Sequence, residues 1–404
     1  MGLLIADILA SSLFLVLAVL SVPTLVLLVQ VLAARSGTAS WKSADESGGS
    51  RPRLAVLMPA HDEAVGITAA IKSVLPQLGS GDRLVVVADN CTDKTAALAR
   101  AAGAQVIERR DPLRRGKGYA LDFGVRHLQV DPPSVVIVVD ADCHLHEGSL
   151  SRLAAGCART GRPVQALDLM RAPAGAGLKT RIAELAWIVK NHARPLGYHR
   201  MGLPCQLMGT GMAFPWGLIS NAPLASGHLV EDMQLGLNLA NKGSPPLFCP
   251  QALVTSMFPA DAASLTAQRT RWEHGHLGVI AGQAPRMLWR ALIQRRLSLL
   301  AMVLDLCVPP LASLALLLLG SALAALLLMA STGLVGQAAF AVSLLVAFAA
   351  SILLAWHRFG RQAVSMKDLL SVPGYILAKL PIYASLLGKR QAEWVRTKRD
   401  DGAR

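Results

Sequence analysis

The stretch Ser134-Val-Val-Ile-Val-Val-Asp140-Ala-Asp142 decides the fold of this chain. Its consecutive apolar, β-branched residues predict a strand that is buried on both faces, as in a parallel sheet. The strand ends on two carboxylates, Asp140 and Asp142. Burying bare negative charge is costly unless the charge is paired or bound to a metal. The pair therefore indicates either a divalent-cation site with an anion beyond it or a surface turn, where aspartate is common.

Strands and helices alternate from Arg53 to about Gly161. This alternation predicts an α/β fold with a mostly parallel sheet that has helices on both faces. Ligands of such sheets bind beyond the carboxyl ends of the strands. The predicted strands are 54–58, 84–88, 104–107 and 135–139, and the predicted helices are 64–75, 92–102 and 119–128.

Acidic clusters follow three of the predicted strands. Each cluster alone could serve as a helix cap, but all three should meet at one edge of the sheet. A basic, glycine-rich loop lies between them in the sequence and opens a helix. It suits a diphosphate, although it could also be a solvated basic loop. The clusters are Pro59-Ala-His61-Asp62-Glu63, Asp89-Asn90-Cys91-Thr92-Asp93 and Asp140-Ala-Asp142, and the loop is Arg114-Arg115-Gly116-Lys117-Gly118.

Apolar blocks at both ends of the chain predict membrane spans. A bilayer crossing needs roughly 20 apolar residues, and residues 1–34 therefore predict a retained N-terminal transmembrane helix. Residues 297–330 and 334–356 predict two more, the first of them kinked at Pro309-Pro310. Residues 366–388 hold prolines and a lysine among apolar residues, which favours a re-entrant or interfacial segment, or a weak transmembrane one.

Basic residues flank the middle domain, residues 53–275, on both sides. They lie in a linker, 35–52, and in an interfacial segment, 276–296. The positive-inside rule then places the middle domain and the basic tail, 389–404, on the cytoplasmic side of the inner membrane. Much of the net charge of +14 is accounted for in this way, and only 5% of the residues are aromatic, which argues against a nucleic-acid partner. Six scattered cysteines argue against structural zinc.

Six motifs, in order, resemble those of the membrane-bound glycosyltransferases of family 2. This inverting group contains cellulose, chitin and hyaluronan synthases and their single-transfer relatives. The resemblance implies a GT-A (nucleotide-diphospho-sugar transferase) Rossmann-like domain with flanking transmembrane helices. The motifs are Pro59-Ala-His-Asp-Glu63, Ala88-Asp-Asn-Cys-Thr-Asp93, Gly116-Lys-Gly-Tyr-Ala-Leu121, Asp140-Ala-Asp142, Glu231-Asp232 and Gln268-Arg-Thr-Arg271-Trp272.

The resemblance also implies roles at the donor end. The base and ribose of the nucleotide would be held by Glu63 and Asp89. Lys117 would face the diphosphate, and Asp140 would touch the nucleotide. Asp142, together with Asp140, would ligate Mg²⁺ or Mn²⁺. The donor-binding set is Pro59, His61, Glu63, Asp89, Lys117 and Asp140.

Glu231 and Asp232 form the catalytic pair that the resemblance implies, with Asp232 as the general base. Taken alone, two acids at the start of a periodic stretch could simply favour a helix N-terminus. A cation that neutralises the departing diphosphate removes the need for an acid, so one base implies a single displacement with inversion.

The acceptor end is implied by a glycine loop and by the last motif. The loop Met208-Gly-Thr-Gly-Met212 predicts a close backbone approach to the acceptor at Gly209, or a plain turn. The acceptor and leaving diphosphate would be lined by Gln268, Arg271 and Trp272. Two histidine pairs, His144-x-His146 and His274-x-His276, could supply metal ligands or make local hydrogen bonds.

The function implied is transfer of a sugar from a nucleoside-diphosphate sugar, UDP-linked by family precedent, to a lipid-linked or membrane-proximal glycan acceptor in cell-envelope or exopolysaccharide synthesis. Membrane lipids would be partners, and a homo-oligomer or envelope-assembly partners stay open. Three spans are few for a polymer channel, which makes a processive β-glycan synthase the alternative. A nucleotidyltransferase and a non-catalytic membrane scaffold are two further classes.

Overall fold

The computed structural model describes residues 2–35, 51–228, 230–259 and 261–377. The chain divides into two compact units. Among the described residues, the sheet unit comprises 51–176 and 202–275, and the helical unit comprises 2–35, 177–201 and 276–377. Most of the predicted linker 35–52, the end of segment 366–388 and the tail 389–404 lie outside the described residues.

The elements are numbered in chain order. The strands are β1 Leu54–Ala60, β2 Arg83–Asp89, β3 Gln105–Arg109, β4 Val135–Val138, β5 His144–Leu145, β6 Val164–Arg171, β7 Met212–Pro215 and β8 Leu247–Met257. The helices are α1 Gly2–Ala33, α2 Ile67–Val74, α3 Thr95–Ala101, α4 Lys117–Leu128, α5 Ser149–Thr160, α6 Leu178–Ile188, α7 Arg194–Arg200, α8 Trp216–Ile219, α9 Glu231–Asn241, α10 Ala262–Ile293, α11 Leu297–Leu306, α12 Leu311–Thr332, α13 Val335–Ala355, α14 Met366–Leu369 and α15 Val372–Leu377.

The strands form one mixed sheet in the order β3-β2-β1-β4-β7-β6-β8-β5. The predicted strands, β1 to β4, pair in parallel, which confirms the α/β prediction. The other half of the sheet was not predicted. There, β7 runs antiparallel to β4 and β6, and β5 runs antiparallel to β8, while β6 and β8 are parallel.

Apolar layers cover both faces of the sheet. Side chains alternate between the two faces along a strand, so Val56 and Met58 of β1 join one layer and Leu57 joins the other. The first layer is completed by α2, α3 and α5, and the second by α4 and α9. The helix α4 lies close to the sheet at Gly124, where a Cβ atom would come within 2.3 Å of a methyl group of Leu57. This packing holds the N-terminus of α4 beside the carboxyl ends of β1 and β4.

The helical unit contains three helices that are long and apolar enough to span a membrane, among the described residues. They are Ala6–Ala33, Leu311–Thr332 and Val335–Gly360. The predicted span 297–330 differs from the structure, because α11 ends at Leu306 and α12 begins at Leu311. Prolines at 309 and 310 lack the N–H that a helix needs, and each disfavours helical backbone in the preceding residue, so the chain breaks there instead of kinking.

A buried polar network lies within the helical unit. The Arg194 guanidinium donates to Asp305 Oδ1 at 2.8 Å, to the Asp305 carbonyl at 2.7 Å and to Gln30 Oε1 at 3.0 Å. The Gln30 amide in turn donates to Asp305 Oδ1 at 2.6 Å. The network therefore joins α1, α7 and α11, and each charge in it has a partner.

Candidate active site

Lys117, the first residue of α4, lies at the centre of the candidate site. Its ammonium is 2.5 Å from Asp140 Oδ1, at the end of β4, and it donates to the Gly209 carbonyl at 2.8 Å. A Cβ atom on Gly209 would lie 3.7 Å from the ammonium and 3.4 Å from Asp232 Oδ2. Gly209 has φ +97°, which other residues rarely adopt. The predicted residues Lys117, Asp140, Gly209 and Asp232 therefore lie together in the structure.

The charges in this group shift one another's protonation. Burial alone would lower the pKa of Lys117, but the surrounding carboxylates, Asp140 first, outweigh burial and raise it. Burial raises the pKa of Asp140 against the opposing effect of Lys117, and the charge of Asp142 adds to the rise. Burial, followed by the charge of Asp232, raises the pKa of Glu231 to about 7. The group thus holds more carboxylates than its single lysine can neutralise.

The loop that carries Gly209 is fixed by Gln165, a side chain that belongs to none of the six motifs. Gln165, on β6, is fully buried. Its amide donates to the Thr210 carbonyl at 2.8 Å, and its carbonyl accepts the Met208 N–H at 2.8 Å. The Thr210 hydroxyl accepts the Asp140 N–H at 3.1 Å. Gln165 thereby sets the loop against the end of β4.

Asp140, Asp142 and Cys143 bring potential metal ligands within 4.8 Å of one another. Burial, with the charge of Asp142, raises the pKa of the Cys143 thiol well above its ordinary value, so the thiol stays protonated. The two carboxylates remain, and oxygen ligands are those that Mg²⁺ and Mn²⁺ prefer. The residues present therefore fit the predicted cation.

The carboxyl ends of β1 and β2 are joined by short polar contacts. His61 Nδ1 donates to the Asp89 carbonyl at 2.6 Å, so this nitrogen carries a proton. The Asp62 carboxylate accepts the Thr92 N–H at 2.6 Å, and the Glu63 N–H donates to the Thr95 hydroxyl at 2.7 Å. The first two acidic clusters thus lie side by side, as their positions after parallel strands predict.

The Asp89 carboxylate has a cationic partner that the sequence reasoning missed. Arg109, the last residue of β3, donates to Asp89 Oδ1 at 2.6 Å, and the two side chains are only 9% and 8% exposed. Arg109 also donates to Asp111 at 3.2 Å and to the Arg114 carbonyl at 2.8 Å. It therefore links the end of β2 to the basic loop that precedes Lys117.

The last motif lies on α10. Arg271 and Trp272 are partly buried, whereas Gln268 is 8% exposed.

The histidines of the two pairs differ in their partners. His146 Nε2 lies 3.0 Å from the Thr255 hydroxyl, and His276 Nε2 donates to the Leu306 carbonyl at 2.9 Å, so both make the expected local hydrogen bonds.

The mixed sheet, with a lysine and acidic side chains gathered at its carboxyl edge, defines an α/β protein of the nucleotide-diphospho-sugar transferase class, with the GT-A fold. The sequence model described as Glycosyltransferase like family 2 matches residues 52–275, which is more than half of the 404 residues. The chain belongs to glycosyltransferase family 2.

Two curated relatives and one solved structure are similar to this chain. The probable glycosyltransferase YdaM of Bacillus subtilis is 26% identical over 57% of this chain and 56% of its own length. The glucosyl-3-phosphoglycerate synthase of Mycolicibacterium paratuberculosis is 32% identical over 44% of this chain and 57% of its own length. The chain thus spans less than two thirds of these relatives.

The solved structure is the mannosyltransferase PcManGT of Pyrobaculum calidifontis in complex with GDP-Man and Mn²⁺. It is 19% identical, and the similarity covers 86% of this chain and 98% of that one with a TM-score of 0.50. At this identity the likeness shows the shared fold.

Proposed function

We propose that this protein is an inverting, metal-dependent glycosyltransferase that moves a sugar from a nucleoside-diphosphate sugar to a lipid-linked or membrane-proximal glycan acceptor. The observation that carries the proposal is that the Lys117 ammonium contacts both Asp140 and the Gly209 carbonyl, while Gly209 also lies close to Asp232. Asp140 and Asp142 supply the carboxylates suited to a cation, and Asp232 supplies the carboxylate suited to a base. Transfer from a nucleoside-diphosphate sugar needs these two functions next to each other.

The reaction follows from the roles of the chain's own groups. Asp232 accepts the proton of the acceptor hydroxyl as its oxygen bonds to the anomeric carbon. The bond from that carbon to the diphosphate breaks, and the electron pair leaves with the diphosphate. Lys117 offsets the negative charge that the diphosphate gains. One base and a single displacement invert the anomeric configuration.

The metal would be held by Asp140 and Asp142. A bound divalent cation would neutralise the diphosphate as it leaves. Lys117 pairs with Asp140, so it places a further positive charge beside the proposed metal ligands. The proposed cofactor is Mg²⁺ or Mn²⁺, and Mn²⁺ accompanies the donor in the Pyrobaculum structure.

The proposed donor is a UDP-sugar, with a GDP-sugar as the competitor because PcManGT binds GDP-Man. Three helices long enough to span a membrane favour an acceptor at the membrane surface. They also favour an inner-membrane location, with the sheet unit in the cytoplasm on the basis of the flanking arginines. Processive synthesis of a β-glycan is the alternative function, and the size of the product distinguishes the two.

Purified full-length protein in detergent should be incubated with UDP-, GDP- and dTDP-sugars, Mn²⁺ or Mg²⁺, and membrane lipid extract. We expect one donor to release its nucleoside diphosphate and to label a lipid-extractable product. Asp142→Ala and Asp232→Asn should each lower that rate by about a hundredfold or more, while the folded protein remains in the membrane.

The same assay separates the alternatives. Release of pyrophosphate in place of a nucleoside diphosphate would indicate a nucleotidyltransferase. A ladder of polymeric product would indicate processive synthesis. No donor turnover with any sugar, or full activity in Asp232→Asn, would overturn the proposal.

A further inference from the structure

His274 is a buried histidine whose ring has no hydrogen-bond partner among the described residues. Both nitrogens lie away from solvent, and the residue is 9% exposed. Its neighbour His276 is equally buried but donates to the Leu306 carbonyl. Gln268 Oε1, also on α10, is buried without a partner within the same described part of the chain.

Gln268, Arg271 and His274 occupy positions i, i+3 and i+6 of α10. Such positions lie within roughly 120° of one another around a helix. Arg271 is therefore flanked by two buried polar side chains, one on each neighbouring turn. The result is a helix face with a guanidinium at its centre and hydrogen-bonding groups on both sides.

Buried polar groups are nearly always hydrogen-bonded, because leaving one unsatisfied costs free energy. Two such groups beside one arginine indicate a ligand that satisfies them when it binds. The guanidinium favours an anion with several oxygens, and phosphate is the anion whose geometry matches an arginine best. An imidazole N–H can donate to the same oxyanion, and the amide of Gln268 can turn its NH₂ group towards it.

We propose that His274 binds a phosphate oxyanion on the Arg271 face of α10. The phosphate is either the diphosphate of the donor or the phosphate of a lipid-linked acceptor, and in both cases the inference rests on the proposed function. His274 is then a ligand-binding residue that the six motifs do not include. His276, two residues further on, is structural.

The test compares His274→Leu with the matched variant His276→Leu in the full chain. Replacing an unsatisfied buried polar side chain by an apolar one removes a penalty, so His274→Leu should unfold at the same temperature as the wild type or higher. His276→Leu loses a hydrogen bond and should unfold at a lower temperature. Binding of UDP, GDP and the corresponding nucleosides is measured by calorimetry, and binding of farnesyl phosphate and farnesol is measured in nanodiscs.

We expect His274→Leu to weaken binding of one phosphate-bearing probe about tenfold or more, with the phosphate-free probe unaffected. If only the affinity for UDP or GDP falls, His274 binds the diphosphate of the donor. If only the affinity for farnesyl phosphate falls, His274 binds the phosphate of the acceptor. His274→Asn, which keeps a polar group, should bind that probe with an affinity between those of the wild type and His274→Leu. Unchanged affinity for every probe that the wild type binds would overturn the inference alone. Absence of nucleotide binding by the wild type would overturn the proposed function, and with it this inference.

Discussion

Lys117 and Gly209 connect the carboxylates of Asp140 and Asp232 in the candidate site. The Lys117 ammonium contacts Asp140 and the Gly209 carbonyl, and a Cβ atom on Gly209 would lie 3.4 Å from Asp232 Oδ2. With one lysine among several carboxylates, the site favours binding of a proton or a cation. Glu231, whose pKa is raised to about 7, is the group through which this excess charge can be measured.

Glu231→Gln should change how stability depends on pH. The pKa of Glu231 is 4.5 ordinarily and about 7 in the folded protein, so between these values the folded state binds the extra proton. Wild-type stability therefore includes a contribution that is present at low pH and is lost as the pH rises towards 7. We expect the unfolding temperature of the wild type to fall, relative to Glu231→Gln, by a few degrees between pH 5 and pH 8 without metal or donor.

The control for this measurement is Glu147→Gln, at an exposed position. A pH-dependent change that this variant shares with Glu231→Gln would not be specific to Glu231. Adding Mn²⁺ should reduce the pH dependence in the wild type, because the cation offsets the same charge. If the unfolding temperatures of Glu231→Gln and the wild type change in parallel with pH, the raised pKa of Glu231 is contradicted.

At the scale of elements, Arg109 holds β2, β3 and the basic loop together. Its ion pair with Asp89 is almost fully removed from water, and its other donors reach Asp111 and the Arg114 carbonyl. Breaking a buried pair leaves a charge without compensation, which is far more costly than losing an exposed ion pair.

Arg109→Met should therefore destabilise the protein by about 3–5 kcal/mol, because Asp89 is left charged and buried. The double variant Arg109→Met/Asp89→Leu should recover part of that loss, since it removes both charges. Denaturant unfolding of Arg109→Met, Asp89→Leu and the double variant gives the coupling free energy between the two side chains. Exposed Arg126→Met, whose partner Asp122 lies one turn away on α4, is the control and should change stability little. Equal losses in Arg109→Met and Arg126→Met would contradict this role.

The sequence predicted the elements whose pattern is local. Strands β1, β2 and β4 are apolar runs buried on both faces, whereas β3 is a short, partly exposed edge strand. The predicted bounds of all four differ from the observed ones by at most two residues. Strand β6 carries two buried polar side chains, Gln165 and Asp168, so its sequence lacks such a run. The antiparallel strand β7 has four residues and depends on partners far away in the sequence.

The same distinction holds for the site. Lys117, Asp140 and Asp232 belong to motifs and could be predicted. Arg109 and Gln165 belong to none, because an arginine in a Glu-Arg-Arg run and a glutamine in a strand are ordinary surface residues in isolation. Their roles arise only when β3 pairs with β2 and when the loop at Gly209 folds beside β6. Long-range pairing of this kind leaves no local periodicity to detect.

At the scale of the whole molecule, the helical unit is held together by polar contacts as well as by apolar packing. Leu17 and Leu20 of α1 pack with residues of α12 and α13. The Arg194 network adds a charged connection between α1, α7 and α11. Arg194→Leu leaves Asp305 charged without its cation.

Arg194→Leu should lower stability by about 3–5 kcal/mol, as expected for breaking a buried ion pair. The matched control is Arg200→Leu on the same helix, where the arginine is exposed and donates to the Arg35 carbonyl at 3.3 Å. Thermal unfolding in detergent would show a large decrease for the first variant and little change for the second. Similar unfolding temperatures in both would show that the network is dispensable.

Residues 177–201 belong to the helical unit, although the family match 52–275 runs across them. The sheet unit is thus encoded in separate pieces, and β7 and β8 are synthesised only after the chain has contributed α6 and α7 to the other unit. A contiguous piece cut at the two ends of the match would carry α6 and α7 without the helices they pack with. A soluble sugar-transfer fragment would need a short loop in place of 177–201. Gene fusion or domain exchange at the two ends of the match would therefore transfer α6 and α7 but not the helices that pack with them.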